Sequence, residues 1–192
     1  MISDNLRREL DRPIQPRTQR LVTPVKPSVA QLMGHAIHPI LVAFPITFYA
    51  IATASFITFA VNDSAFWFRV GFYASLAGVI AAVVAAIPGM VDYFGSIPKS
   101  DPAKKVGGAH IAFNMVSLLL FASIVVLLWD IFTPSTVRTE AVNLMAPMWL
   151  SIVGMVSTLV GGYLGGSLVQ EHHVGIEPSV RNQSIQPRTS LS

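Results

Sequence analysis

Ile111-Ala112-Phe113-Asn114-Met115-Val116-Ser117-Leu118-Leu119-Leu120-Phe121-Ala122-Ser123-Ile124-Val125-Val126-Leu127-Leu128-Trp129-Asp130-Ile131-Phe132 decides the fold. No charged residue interrupts this run before Asp130. About 20 apolar residues suffice to cross a hydrocarbon core. Inside lipid a single segment satisfies its backbone hydrogen bonds only as a helix. Three more runs of this kind lie outward of it, at Ile40–Val61, Phe66–Ile87 and Pro147–Val169. Between them fall the turn Asn62-Asp63-Ser64, a polar loop over 88–109 and a loop around 130–146. The pattern predicts an all-α fold, an integral membrane four-helix transmembrane bundle over residues 34–176. Polar tails over 1–33 and 177–192 are expected to be disordered.

Composition agrees. The chain is 52% hydrophobic and 12% charged, where a soluble domain carries about 25% charge. Cysteine is absent. That excludes disulfides, cysteine-ligated iron–sulfur clusters, covalently attached c-type haem and a lipoprotein anchor. No apolar stretch of a cleavable signal peptide precedes His38, so the first span is expected to serve as its own targeting signal. The net charge of +3 lies outside the apolar runs and reports on topology rather than on nucleic-acid binding.

Arg7, Arg8, Arg12, Arg17, Arg20 and Lys26 precede the first span. Lys99, Lys104 and Lys105 lie in the middle loop, and Arg181 and Arg188 follow the last span. Arg69 and Arg138 alone fall on the opposite side. The positive-inside rule therefore predicts a multi-pass protein of the cell inner membrane with both termini cytoplasmic. Trp67, Trp129 and Trp149 then gather at the outer interface, where indole is favoured. All five histidines, His35, His38, His110, His172 and His173, gather at the cytoplasmic side.

Small residues are expected to pack the bundle: Gly154, Thr158, Gly162 and Gly166 on span four, with Ser157, Gly161 and Gly165 alongside, and Gly78 with Ala74, Ala82 and Ala86 on span two. The same glycines around Gly161–Gly166 would also leave room for a flat cofactor. Pro45 removes its own amide donor and predicts a kink beside Leu41. The pentapeptide Ile14-Gln15-Pro16-Arg17-Thr18 recurs as Ile185-Gln186-Pro187-Arg188-Thr189. Both copies face one compartment, as twin docking motifs for one partner or as chance repetition.

The chemistry-bearing residues are His38 and His110, with His35, His172 and Asp92 beside them and Asn114 one turn below His110. His38 and His110 are read as helix N-terminal residues, where the macrodipole disfavours imidazolium. Two histidines suit a b-type haem, and three with Asp92 suit a divalent metal. A proton relay is the third chemical reading, disfavoured because no ionisable residue lies near the midplane. The bland reading makes all of these interfacial polar residues that cap and anchor helices, with Asp92 paired to Lys99, Lys104 or Lys105.

The stretch His35-Ala36-Ile37-His38-Pro39-Ile40-Leu41-Val42-Ala43-Phe44-Pro45-Ile46 resembles the opening signature of domain-of-unknown-function family 2231, small bacterial membrane proteins. Gly89-Met90-Val91-Asp92, His110-Ile111-Ala112-Phe113-Asn114 and Gly162-Tyr163-Leu164-Gly165-Gly166-Ser167-Leu168-Val169, leading into His172 and Val174-Gly175-Ile176, fit as well. The resemblance covers roughly 34–176. It implies four transmembrane helices, a bacterial setting and no established activity. Some relatives are joined to Rieske-type domains, which hints at membrane electron transfer. Many have a histidine where this chain has Ala43 and a glycine where it has His173. Two functions are carried forward. One is a haem- or metal-binding subunit supporting membrane electron transfer beside a redox or membrane protein partner. The other is a cofactor-free accessory protein that docks a partner through its tails. Both admit a homo-oligomer in the lipid bilayer, and neither makes the chain an enzyme.

Overall fold

The computed structural model describes residues 26–132 and 145–176. The repeated pentapeptides, Arg138 and most of both tails lie outside those residues. After an extended strap from Lys26, a two-residue hairpin pairs β1 (Gln31–Leu32) with β2 (His35–Ala36). Met33 and Gly34 turn it with φ of 52° and 78°. A short helix α1 (Ile37–Leu41) leads into four long ones: α2 (Ala43–Asn62), α3 (Ala65–Gly95), α4 (Ala103–Phe132) and α5 (Ala146–Gln170). Residues 26–33, counted above with the N-tail, are thus a structured strap.

Four segments are long and apolar enough to span a membrane: Ile37–Asn62, Ala65–Gly95, Ala103–Phe132 and Ala146–Gln170. In each, no more than 33% of the most apolar stretch is buried inside the protein. The remaining apolar surface faces outward, which is stable in lipid and not in water.

At Pro45 the hydrogen-bond ladder is interrupted: α1 ends at Leu41, whose carbonyl loses its Pro45 donor, and α2 begins at Ala43 after Val42, whose backbone stays helical. Asp63 closes α2 in the left-handed region (φ 52°) and starts the tight turn to α3. The expected loop over 88–109 is much shorter. Helix α3 continues through Pro88 to Gly95, because membrane helices tolerate proline where neighbours pack the bend. Helix α4 begins at Ala103 because Asp101 accepts the Ala103 and Lys104 amides, through its carboxylate at 2.8 Å and its carbonyl at 2.9 Å. Asp-Pro ahead of the first helical residue is a start signal that the lysines and paired glycines after it obscured.

The buried core lies at the tryptophan end and middle of the bundle. Phe56, Phe59, Phe68, Phe72, Phe121, Ile124 and Leu128 fill it. Phe72 stacks on Phe132 at 4.4 Å, and Phe59 meets Phe68 at 4.7 Å with planes tilted by 51°. Hydroxyls stitch the helices where hydrocarbon offers no water: Ser157 donates to the Phe113 carbonyl at 2.7 Å, Ser117 to Gly154 at 3.0 Å, and Thr53 to Ser151 at 3.2 Å.

The two helix hairpins, α2–α3 and α4–α5, are built on one plan. His110 and Phe121 each lie 72 residues after His38 and Tyr49 (110 less 38, 121 less 49). Gly154, Gly161 and Gly165 each lie 76 residues after Gly78, Ala85 and Gly89. A Cβ on Gly78 would meet the Tyr49 ring at 2.6 Å and Phe48 Cβ at 3.3 Å. One on Gly154 would meet the Phe121 ring at 2.8 Å and Leu120 Cβ at 3.6 Å. Both hairpins start at the histidine end and turn at the tryptophan end, as parallel repeats about an axis along the bundle do. At that axis equivalent residues meet: Tyr49 and Phe121 stack at 3.8 Å with planes 4° apart.

Candidate functional site

Three turns from that stack, the second pair of equivalent residues meets. His38 and His110 stand with ring centroids 6.2 Å apart and planes at 86°. His38 Nδ1 lies 2.8 Å from the Ala85 carbonyl on α3, and His110 Nδ1 lies 2.8 Å from the Gly161 carbonyl on α5. A carbonyl only accepts, so Nδ1 is the donor in both rings, and in a neutral imidazole Nε2 then carries the lone pair. Each ring is seated on a glycine one turn further along the same helix. A Cβ on Gly89 would come within 2.7 Å of the His38 ring, and one on Gly165 within 3.0 Å of His110.

Asn114 donates Nδ2–H to the His110 carbonyl at 2.8 Å. Its Nδ2 is 3.3 Å and 3.4 Å from the two His110 ring nitrogens. Near-equal distances place it off the line of the Nε2 lone pair. The position equivalent to Asn114 in the first hairpin is Val42, so the two histidine seats differ there.

His38 does open a helix, α1. His110 does not. It is the eighth residue of α4, two turns inside, because the helix starts at Ala103. The dipole expected to keep it neutral is too distant to act, since that field fades within the first turn.

The other predicted site residues lie elsewhere. The Asp92 carboxylate is neither paired to Lys99, Lys104 or Lys105 nor turned to the histidines. It accepts Ser28 Oγ–H at 2.8 Å and the Val29 and Ala30 amides at 2.8 Å and 3.0 Å. Its ligand is the strap itself. His35 is exposed, with Nδ1 3.1 Å from the Met33 carbonyl. His172 follows α5, and its carbonyl accepts Lys26 Nζ–H at 3.0 Å. Among the described residues no group of three or more His, Cys, Asp or Glu is placed to hold a metal. The cluster of three histidines with Asp92 therefore does not assemble: the strap occupies Asp92, and His35 and His172 sit on connecting segments outside the helix seam.

The packing glycines need a similar correction. Gly78 and Gly154 pack as expected. Gly162 and Gly166 face open space, and the contacts on α5 fall instead on Gly154, Gly161 and Gly165. Gly161 is filled by Asn114, whose amide would lie 2.6 Å from a Cβ there. The periodicity of four holds at Gly154 and Thr158, and the contacts then shift back by one residue to Gly161 and Gly165.

Lys26 was read above only as a positive charge, and it holds this end together. It is 7% exposed. Its Nζ pairs with Asp101 Oδ2 at 2.9 Å as well as with the His172 carbonyl. Its backbone exchanges hydrogen bonds with the C-terminal segment, from Lys26 N–H to His173 O at 3.0 Å and from Gly175 N–H to Lys26 O at 2.7 Å. The Lys26 ammonium, followed by the Ala103 amide, holds the Asp101 carboxyl below the ordinary carboxylate range. Beside it, Lys104 donates to the Tyr93 carbonyl and lies 3.8 Å from the Tyr93 ring centroid. His173 sits in the left-handed region at φ 55°, with Nδ1 buried and without a partner among the described residues. Glycine suits that backbone best, in keeping with the glycine the resemblance places there.

Residues 34–178 match the family described as "Predicted membrane protein (DUF2231)". No curated protein and no solved structure matches the chain. With four membrane-length helices and a family match over most of its length, this chain belongs to the DUF2231 family of predicted membrane proteins.

Proposed function

We propose that this chain is a membrane subunit whose His38–His110 pair holds a redox-active metal centre, either the iron of a b-type haem or a divalent ion, in support of membrane electron transfer. The observation that supports this is the paired anchoring. Each imidazole gives its Nδ1–H to a backbone carbonyl of the neighbouring helix and keeps Nε2 for a ligand. Metal-bound imidazoles are oriented in this way, with the distal ring N–H fixed by a carbonyl or carboxylate. Two imidazoles sharing one metal, at metal–nitrogen distances of about 2.0–2.1 Å, have centroids on the order of 5–6.5 Å apart. The pair stands at 6.2 Å. With two protein ligands, haem iron is completed by the porphyrin, and a divalent ion takes water or a small molecule. When bound, such a centre accepts and releases single electrons. The protein's part is to orient both rings on rigid helices and to close their end of the bundle with the strap. The lysine and arginine distribution supports assigning this end to the cytoplasmic face of the inner membrane.

A second reading keeps the chain cofactor-free, an accessory membrane protein docking its partner through its tails. Its support is that both histidines already join neighbouring helices through those carbonyl bonds. An absorbance spectrum and metal analysis of gently purified full-length protein, loaded in turn with haem and with Fe or Mn, separate the two. A Soret band or one metal per chain is expected, lost in His38→Ala or His110→Ala and retained in His35→Ala and His172→Ala. A colourless, metal-free protein after loading overturns the metal reading and leaves the accessory one.

A further inference from the structure

At the tryptophan end, a groove of about 500 Å³ opens between α2 and α3. Phe48 and Ile51 form one wall, Val70 and Tyr73 the other, and Ala77 belongs to its floor. The space exists because alanine leaves it unfilled between larger neighbours. Tyr73 is 56% exposed and Ile51 42%, so the groove opens sideways, toward the hydrocarbon, rather than into the bundle.

One lining residue is charged. Arg69, exposed, is the fifth residue of α3, two positions past Trp67. Among the described residues it is the sole lysine or arginine at the tryptophan end, and no carboxylate pairs with it there. An unpaired guanidinium at interfacial depth attracts an oxyanion, and its planar fork matches phosphate with two hydrogen bonds.

Length selects the occupant. The lining on α3 runs from Phe66 to Ala77, eleven residues or about 16 Å of helix rise. That is about half of a hydrocarbon core of about 30 Å, the depth that one acyl chain occupies. A partner transmembrane helix would need the full depth. An acyl chain with its headgroup at Arg69 does not. A neutral amphiphile would leave the guanidinium without a counter-charge.

We propose that this groove is a binding site for an anionic phospholipid, with one acyl chain along Val70–Ala77 and the phosphate on Arg69. The site is independent of the histidine pair. The test uses full-length protein in mixed micelles with a photoreactive-chain phosphatidylglycerol and a phosphatidylcholine of identical chains. Phosphatidylglycerol is expected to label the α2–α3 groove about tenfold more than phosphatidylcholine. Arg69→Gln should remove that preference, and Ala77→Phe should block groove labelling by both lipids. Equal labelling of the two lipids by the unmodified protein overturns the proposal. So does a preference that survives Arg69→Gln, or groove labelling that survives Ala77→Phe. Ala77→Leu replaces Ala77→Phe if the larger side chain prevents folding, with thermal unfolding confirming that each variant is folded.

Discussion

The two hairpins share a histidine that reaches across to a carbonyl, a glycine beneath its ring, and an aromatic side chain on a second glycine. They differ in what surrounds those parts. Tyr49 in the first stands where Phe121 stands in the second, Val42 where Asn114 stands, and Asp92 where Leu168 stands. The shared parts are the ones close packing demands, since a ring fits between helices only where the facing residue lacks a Cβ. The unshared parts supply the polarity: Asn114 sits against His110 alone, and the strap binds the first hairpin alone, through Asp92.

The duplicated packing gives the largest effects. Gly78→Val and Gly154→Val should each destabilise the protein by about 3 kcal/mol, because each forces branched atoms into an aromatic ring. Gly162→Ala and Gly166→Ala should change thermal unfolding in detergent little, since nothing lies within 4 Å. Equal losses at all four positions would break the two-hairpin correspondence. Next comes the strap. Asp92→Asn weakens hydrogen bonds to an ionised acceptor, typically about 1.5–3 kcal/mol, and should speed thiol labelling of a Val29→Cys probe by about tenfold or more. Unchanged labelling would mean that Asp92 does not hold the strap.

The Tyr49–Phe121 difference predicts a gain. The Tyr49 hydroxyl is buried with no hydrogen-bond partner among the described residues, a cost of about 1–3 kcal/mol. Tyr49→Phe should therefore raise the unfolding temperature and Phe121→Tyr lower it. A lower unfolding temperature for Tyr49→Phe would reveal a partner for that hydroxyl. The smallest effect concerns pH. Because the Asp101 carboxyl is held below its unfolded range by Lys26 and Ala103, its contribution is complete above that range. It is lost as pH falls through the lowered value. Labelling of the Val29→Cys probe should rise only in acid, and Asp101→Asn should raise it at neutral pH. A pH response unaltered by Asp101→Asn would assign the titration to another group.

The helices were legible because long apolar runs have one stable backbone form in lipid. The histidine pairing was legible in part, since both residues stand at the same end of their spans. What surrounds them was not. Lys26 and Ser28 lie in a stretch of polar tail with no periodicity, and their roles arise from Asp101, Asp92 and His173, far away in sequence. Asp92 carried a readable signal, a carboxylate near a helix C-terminus in need of donors. Its donors were backbone amides, which every sequence contains and none advertises.

The sequence by itself determined four apolar spans, the hydrogen bond lost at Pro45, and the gathering of tryptophans at one end and histidines at the other. These follow from the local chemistry of one segment against lipid and interface. Only the tertiary structure decided that His38 faces His110, that Asp92 serves the strap, and that Gly161 and Gly165 rather than Gly162 and Gly166 meet a neighbour. Those choices depend on the rotation of each helix about its axis, which is set by packing against helices that no single segment encodes.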